Sequence, residues 1–134
     1  MYRLGYKKLS QLTDDEAVKA VEYGLKPLAL VTEQFDTHLP FISFKLPYLQ
    51  WQINDGRNVI TDLTFQYQYV YYNPDQEFNA QRLAQLSIRE NRDAFHYQIG
   101  DVYDFEPMRH DYHREIGTLL GYTSDEIESF LQLI

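Results

Sequence analysis

The chain has 134 residues, of which 44% are hydrophobic and 16% aromatic, a composition typical of a packed domain and not of a disordered chain. It contains no cysteine, which excludes disulfides, thiolate metal sites and cysteine nucleophiles. The net charge of −8 opposes nucleic-acid binding, because that binding depends on lysine and arginine neutralising phosphates. The length suits one core, so we expect a single domain over residues 1–134.

The N-terminal stretch MYRLGYKKLSQL is basic but lacks an apolar run of signal-peptide length, and nowhere do about 18 apolar residues follow one another. We therefore expect a cytoplasmic protein that makes no use of a membrane. Acidic side chains concentrate in residues 96–134. That end favours a basic partner, or the basic Arg3, Lys7 and Lys8 of a second copy.

The first predicted helix begins at Thr13, which forms the capping-box pattern T-D-D-E with Glu16. Gly24 is the expected end of this helix. Its apolar positions follow helical spacing: Ala17, Val21 and Leu25.

Three strands are predicted next, the first within LALVTEQF. The segments FISFKL and YLQWQI alternate between apolar and polar residues, but their parity slips by one at Pro47 and Tyr48. A β-bulge or sharp bend at that point would keep both apolar sets on one core.

The third strand, from Val59 to Tyr71, places its apolar and aromatic residues at odd positions. A two-residue turn at Asp55-Gly56 would mix apolar and polar faces. We therefore predict a three-residue loop, residues 54–56, with Gly56 left-handed. This loop pairs Ile53 with Arg57 and Trp51 with Val59.

Three helices complete the prediction. The first begins at Asn73-Pro74, or alternatively near Asn79, and runs toward Asn91, followed by a loop in AFHYQIGDVYDF with room for one strand. The next begins at Pro107 and stops at Gly121. The last carries a capping box of Thr123 and Glu126, and its apolar face comprises Ile127, Phe130, Leu131 and Ile134.

The stretch IGTLLGYTSDEIESFL has the spacing of a helix-turn-helix, whose second helix would have to enter the major groove. Its first turn is acidic, and no lysine or arginine follows Arg114. We interpret the pair as an αα-hairpin that closes the core. The fold class is therefore α+β, with an antiparallel sheet of three to five strands, helices packed on its odd face, and a C-terminal αα-hairpin.

A histidine and glutamate cluster is the candidate for chemistry. Glu106, His110 and His113 have the spacing i, i+4, i+7, which suits Zn²⁺ ligands on one helix face. The set lies away from the apolar stripe, so a solvated helix face is favoured, and we expect neither metal nor cofactor. Acid–base pairs of His96 with Asp93, or of His113 with Glu115, would need a pocket.

The strand FQYQYVYY carries four aromatic residues on one face, a pattern more typical of a core or a half-buried sheet. The alternative is a face shared between core and binding surface, because tyrosine offers large contact area at low entropic cost and the number of these rings, with a tryptophan on the neighbouring strand, is expected to exceed what one helix layer can cover. The candidate interaction residues are Trp51, Phe65, Tyr67, Tyr69 and Tyr71.

The resulting hypothesis is a small acidic cytoplasmic protein-binding or regulatory module without catalysis, whose partner is a protein or an identical subunit. The alternative is a metal-dependent or acid–base hydrolase that uses the cluster in residues 96–115, with His96, His110, His113 and Glu106 as catalytic candidates. A concave pocket containing His96 and His110 would favour the enzyme, and a flat aromatic patch would favour the binding module.

Overall fold

The structure, a computed structural model, describes residues 11–98 and 106–134. Four helices and three strands lie in these ranges. In chain order they are α1 (Asp14–Glu22), β1 (Leu28–Val31), β2 (Phe41–Asn54), β3 (Arg57–Tyr72), α2 (Glu77–Gln98), α3 (Glu106–Leu119) and α4 (Ser124–Leu131), with a 3₁₀ turn at Pro74–Gln76 before α2. The predictions for Arg3, Lys7, Lys8 and the segment 99–105 fall outside the described residues.

The sheet is antiparallel with strand order β1-β3-β2, so the predicted α+β class is confirmed. The strands differ greatly in length. β1 has four residues and pairs only with residues 69–72 of β3. In contrast, β2 and β3 pair along almost their whole length, from Phe41 opposite Tyr71 to Asn54 opposite Arg57. The hairpin of β2 and β3 therefore extends well beyond the strand that anchors it.

Helices cover both faces of the sheet, which corrects the expectation that they pack on one face. On the even face, Val70 packs with Leu83 of α2 and Ile116 of α3. On the odd face, Tyr71 packs with Val18 and Val21 of α1. The C-terminal helices thus lie on the side opposite to the predicted one, because the even face of the sheet has enough apolar side chains for a second core. These side chains come from β1, β2 and residue 70 of β3: Leu28, Leu30, Ile42, Phe44, Leu46 and Val70.

The turn of the hairpin also differs from the prediction. It has two residues, Asp55 and Gly56, with φ of 52° and 74°, the signature of a type I′ turn. Ile53 therefore faces Asn58 across the strands and not Arg57. Pairing an apolar residue with a polar one does not destabilise the hairpin at this point, since Ile53 is 79% exposed and no core is near.

A bulge is present, but not at the expected place, and it does not bring the two apolar sets of β2 to one face. β2 runs regularly through Pro47 and Tyr48, and the register shifts between Gln50 and Trp51, which places Trp51 opposite Ile60 instead of Val59. Leu46 and Leu49 consequently lie on opposite faces of the sheet.

The local signals at helix ends are confirmed. Thr13 and Glu16, and likewise Thr123 and Glu126, exchange the reciprocal hydrogen bonds of a capping box. Gly24 and Gly121 follow α1 and α3 with positive φ, as predicted. Asn73 does not cap its helix, because its amide donates to the carbonyl of Val21 at the end of α1.

Helix α2 continues to Gln98, so residues 94–98 are helical and not part of a loop. The αα-hairpin of α3 and α4 is confirmed, with Ile116, Leu120 and Ile127 buried. Gly117 makes this approach close, since a Cβ there would lie 2.8 Å from Cγ1 of Ile127. Phe130 differs from the expectation and stays 45% exposed. No helix among the described residues combines the length and apolar character needed to cross a bilayer.

Candidate functional site

The distal part of the hairpin, residues 45–67, is called the arm. Leu46, at its base, is buried, but most of its other large apolar side chains are exposed, and they lie on both faces: Tyr48, Ile53, Val59, Ile60, Leu63, Phe65 and Tyr67. Leu63, Phe65 and Tyr67 share the odd side of β3 and form what we call the aromatic face. Phe65 is 55% and Tyr67 50% exposed, so no helix of the described residues covers this face.

The two remaining predicted rings on this side belong to the base of the sheet. Tyr71 is 1% exposed, and its hydroxyl oxygen accepts a 2.8 Å hydrogen bond from the amide of Phe35. Tyr69 is half-buried against the same core and meets the ring of Phe41 edge-on at 5.8 Å. The predicted series is thus divided into a buried base and an exposed arm. The Trp51 side chain falls outside the described side chains.

Among the described residues, the side chain of Lys45 brings a cation to the aromatic face. The Nζ of Lys45 lies 5.2 Å from the ring centroid of Phe65 and 5.7 Å from that of Tyr67, within cation–π range. Lys45 comes from β2, directly opposite Tyr67 in the register. The contact lies on a strand pair that has no third strand beside it among the described residues.

A second concave feature lies between the even face of the sheet and helices α2, α3 and α4. It is a cavity of about 390 Å³. Its apolar wall consists of Leu30, Leu46, Ile116, Leu120, Ile127 and Phe130. Its polar groups are Gln68 from the sheet, Ser87, Glu90 and Asn91 from α2, His113 from α3, and Glu126 from α4.

His113 is the predicted site residue that reaches this cavity. Its Nε2 lies 3.4 Å from Oε1 of Glu90, and its ring meets Phe130 edge-on at 5.3 Å. Glu90 was not a predicted site residue. The only signal for it in the sequence is that Ser87 and Asn91 interrupt the apolar positions of α2, which marks that stretch of the helix as facing something polar.

The other members of the predicted cluster are dispersed. His110 is half-buried but absent from the described lining of the cavity. His96 meets the ring of Phe95 edge-on near the end of α2. Glu106 begins α3, and its side chain falls outside the described ones. Within residues 11–98 and 106–134, no three His, Asp or Glu side chains come together as a metal site would require.

The carboxylates expected to assist the histidines have other partners. Asp93 accepts a short hydrogen bond from the hydroxyl of Tyr112, which raises the pKa of that phenol. Glu115 accepts two hydrogen bonds from Arg82, at 2.8 and 3.1 Å. Both carboxylates are therefore engaged by other side chains.

Two further polar features of the cavity are a hydrogen-bonded pair and an acceptor without a donor. The Ser87 hydroxyl donates to Oε1 of Gln68 at 3.1 Å. The Oδ1 atom of Asn91 is buried and accepts no hydrogen bond.

A buried lysine adjoins the cavity wall. Lys26 is 4% exposed, and its Nζ lies 4.9 Å from the ring of Tyr122, which lines the cavity. Burial lowers the pKa of Lys26 to about 8, and the nearby Glu126 carboxylate partly opposes that change. Burial, with the charge of Glu126, raises the pKa of Tyr122.

Comparison of the chain with models of protein families, with curated proteins and with solved structures finds no match.

Proposed function

We propose that the protein is a binding module that works without catalysis and uses the arm to contact a second copy of itself. The supporting observation is the exposure of large apolar side chains on both faces of the arm. A two-stranded ribbon alone is marginally stable in water at best, and contiguous apolar surface on a protein commonly marks a contact site. A cysteine-free chain suits the reducing cytoplasm as its place of action.

Charge favours a second copy as the occupant. The chain carries −8 overall, so two copies repel over most of their surfaces. The arm itself is neutral, because Lys45 and Arg57 balance Asp55 and Asp62. It is thus a large surface on which two copies can meet without repulsion, whereas a strongly basic partner would be drawn to the acidic remainder. The same overall charge disfavours a nucleic acid.

The geometry is compatible with a twofold contact, in which the same patch is used by both subunits. Leu63, Phe65 and Tyr67 form a row along one side of one strand, so a second identical row can pack against it. Tyrosine and phenylalanine rings are well suited to the centre of such a contact.

Phe65→Glu is expected to weaken self-association by at least about thirtyfold, the effect of losing an energetically dominant contact residue. The variant places a carboxylate at the centre of the proposed contact. Sedimentation velocity over a concentration series measures the effect, with wild type expected to form a dimer.

Phe78→Glu is the matched control, because Phe78 is 81% exposed on α2, away from the arm. It is expected to dimerise like wild type. A wild-type chain that remains monomeric throughout the series, or equal weakening by both variants, contradicts the proposal.

A further inference from the structure

Among its described lining residues the cavity shares only Leu46 with the arm, and its size suits a small molecule. Its volume of about 390 Å³ lies within the usual range of ligand pockets, roughly 300–1,000 Å³. It is more than twice the roughly 150 Å³ that accommodates benzene in an engineered apolar cavity. A ligand with one ring and a short chain therefore fits.

The polar end of the cavity is rich in acceptors. Asn91 also lines the cavity, and its Oδ1 is buried without a donor, a costly arrangement that a ligand N–H would relieve once the side-chain amide turns toward the cavity. Glu90, one residue earlier on α2, is half-buried beside it. A carboxylate accepts up to about four hydrogen bonds, so its contact with His113 leaves capacity for a ligand.

The charged residues that line the cavity also favour a cationic ligand. Its carboxylates are Glu90 and Glu126, and its described residues include neither lysine nor arginine. Glu126 is already engaged by the amide of Thr123 and by the charge of Lys26. Glu90 is therefore the carboxylate available to a bound cation. An anionic ligand in the same place would be repelled by this carboxylate, and the amine of Lys26 nearby is already engaged by the ring of Tyr122 and the charge of Glu126.

We infer that the cavity binds a small primary amine with an apolar body. The protonated amine donates hydrogen bonds to the Glu90 carboxylate and, after the Asn91 amide turns toward the cavity, to Asn91 Oδ1, while the apolar body packs against Leu30, Ile116 and Leu120. Ser87 and Gln68 bond to each other and form a neutral wall beside the head group. This site is independent of self-association by the arm.

The test uses three probes of similar shape: 2-phenylethylammonium, 2-phenylethanol and 3-phenylpropionate. Titration calorimetry on the full chain is expected to show binding of the ammonium at least about tenfold tighter than the alcohol, with no binding of the carboxylate, because hydrogen bonds to charged groups are the stronger ones. The Glu90→Gln and Asn91→Leu variants are each expected to weaken ammonium binding roughly tenfold or more.

Glu128→Gln is the matched control, since Glu128 is an exposed carboxylate on α4 outside the cavity lining. It is expected to bind the ammonium like wild type. Equal binding of all three probes, preference for the carboxylate, or absence of ammonium binding overturns the inference. Because the three probes are compared on the wild-type chain, these outcomes do not depend on any variant folding, and sedimentation of the same sample reports the arm separately.

Discussion

Tyr71→Ala is expected to lower the free energy of unfolding by about 3–5 kcal/mol, the usual cost of removing a buried aromatic ring. Tyr71 is 1% exposed and packs between α1 and the sheet. The substitution also removes the acceptor of the Phe35 amide. Urea unfolding at 25 °C measures the loss.

The same substitution at Tyr67 provides the comparison. Tyr67 lies on the same strand and the same face, four residues earlier, but is 50% exposed. At a protein concentration low enough that the chain is monomeric, Tyr67→Ala is expected to cost less than about 1 kcal/mol, since it removes a surface ring and its contact with Lys45. Equal losses in the two variants would contradict the division of this face into a buried base and an exposed arm.

Lys26→Met is expected to stabilise the protein by about 3 kcal/mol at neutral pH. Burial lowers the pKa of Lys26 from 10.5 to about 8, and every tenfold weakening of proton binding corresponds to about 1.4 kcal/mol. At neutral pH the folded state therefore holds a charged amine in a poorly solvated place, and methionine of similar shape removes that cost.

The free energy of unfolding is expected to change with pH in a defined direction. Between pH 8 and about 10 the unfolded chain keeps the Lys26 proton while the folded chain loses it, so the stability of wild type rises with pH in this window. Above about pH 10 the raised pKa values of Tyr112 and Tyr122 act in the opposite direction. The rise should vanish in Lys26→Met.

Lys19→Met is the matched control, because Lys19 is about half exposed and pairs with Asp15 on the surface of α1. It is expected to change stability by less than about 1 kcal/mol and to retain the rise with pH. Chemical denaturation at pH 7, 8, 9 and 10 separates the two variants. A flat profile in wild type would contradict the burial of the Lys26 amine.

The features that sequence predicts correctly are local. A capping box needs only residues three apart, so both Thr13 with Glu16 and Thr123 with Glu126 follow directly from the chain. Glycine at Gly121 ends α3 for a similarly local reason. The hairpin itself also follows from alternation around an Asp-Gly pair.

The register and the buried face depend on information that lies far away in the chain. The three-residue loop was wrong because it assumed that the whole hairpin faces a core, whereas its distal half is exposed and leaves the turn free to take the favoured type I′ form. The choice of face was wrong because both sides of β3 are apolar near its end, and the docking of α2 decides which side it covers.

The cavity could be predicted only in part. His113 was a candidate, but its partner Glu90 lies on another helix, and no spacing rule connects the two. Asn91 as an unsatisfied acceptor is a property of the packed molecule alone. Helical spacing could at most have shown that α2 places Ser87 and Asn91 on its inner side.

The most direct test of the central claim, that the arm contacts a second copy, uses the absence of native cysteine. A spin label attached to Gln52→Cys lies on the arm but away from Leu63, Phe65 and Tyr67. Pulsed dipolar spectroscopy is expected to show coupling between labels of two copies, which disappears when Phe65→Glu is added. Absence of coupling in the singly substituted protein, or coupling that persists with Phe65→Glu, would contradict the claim.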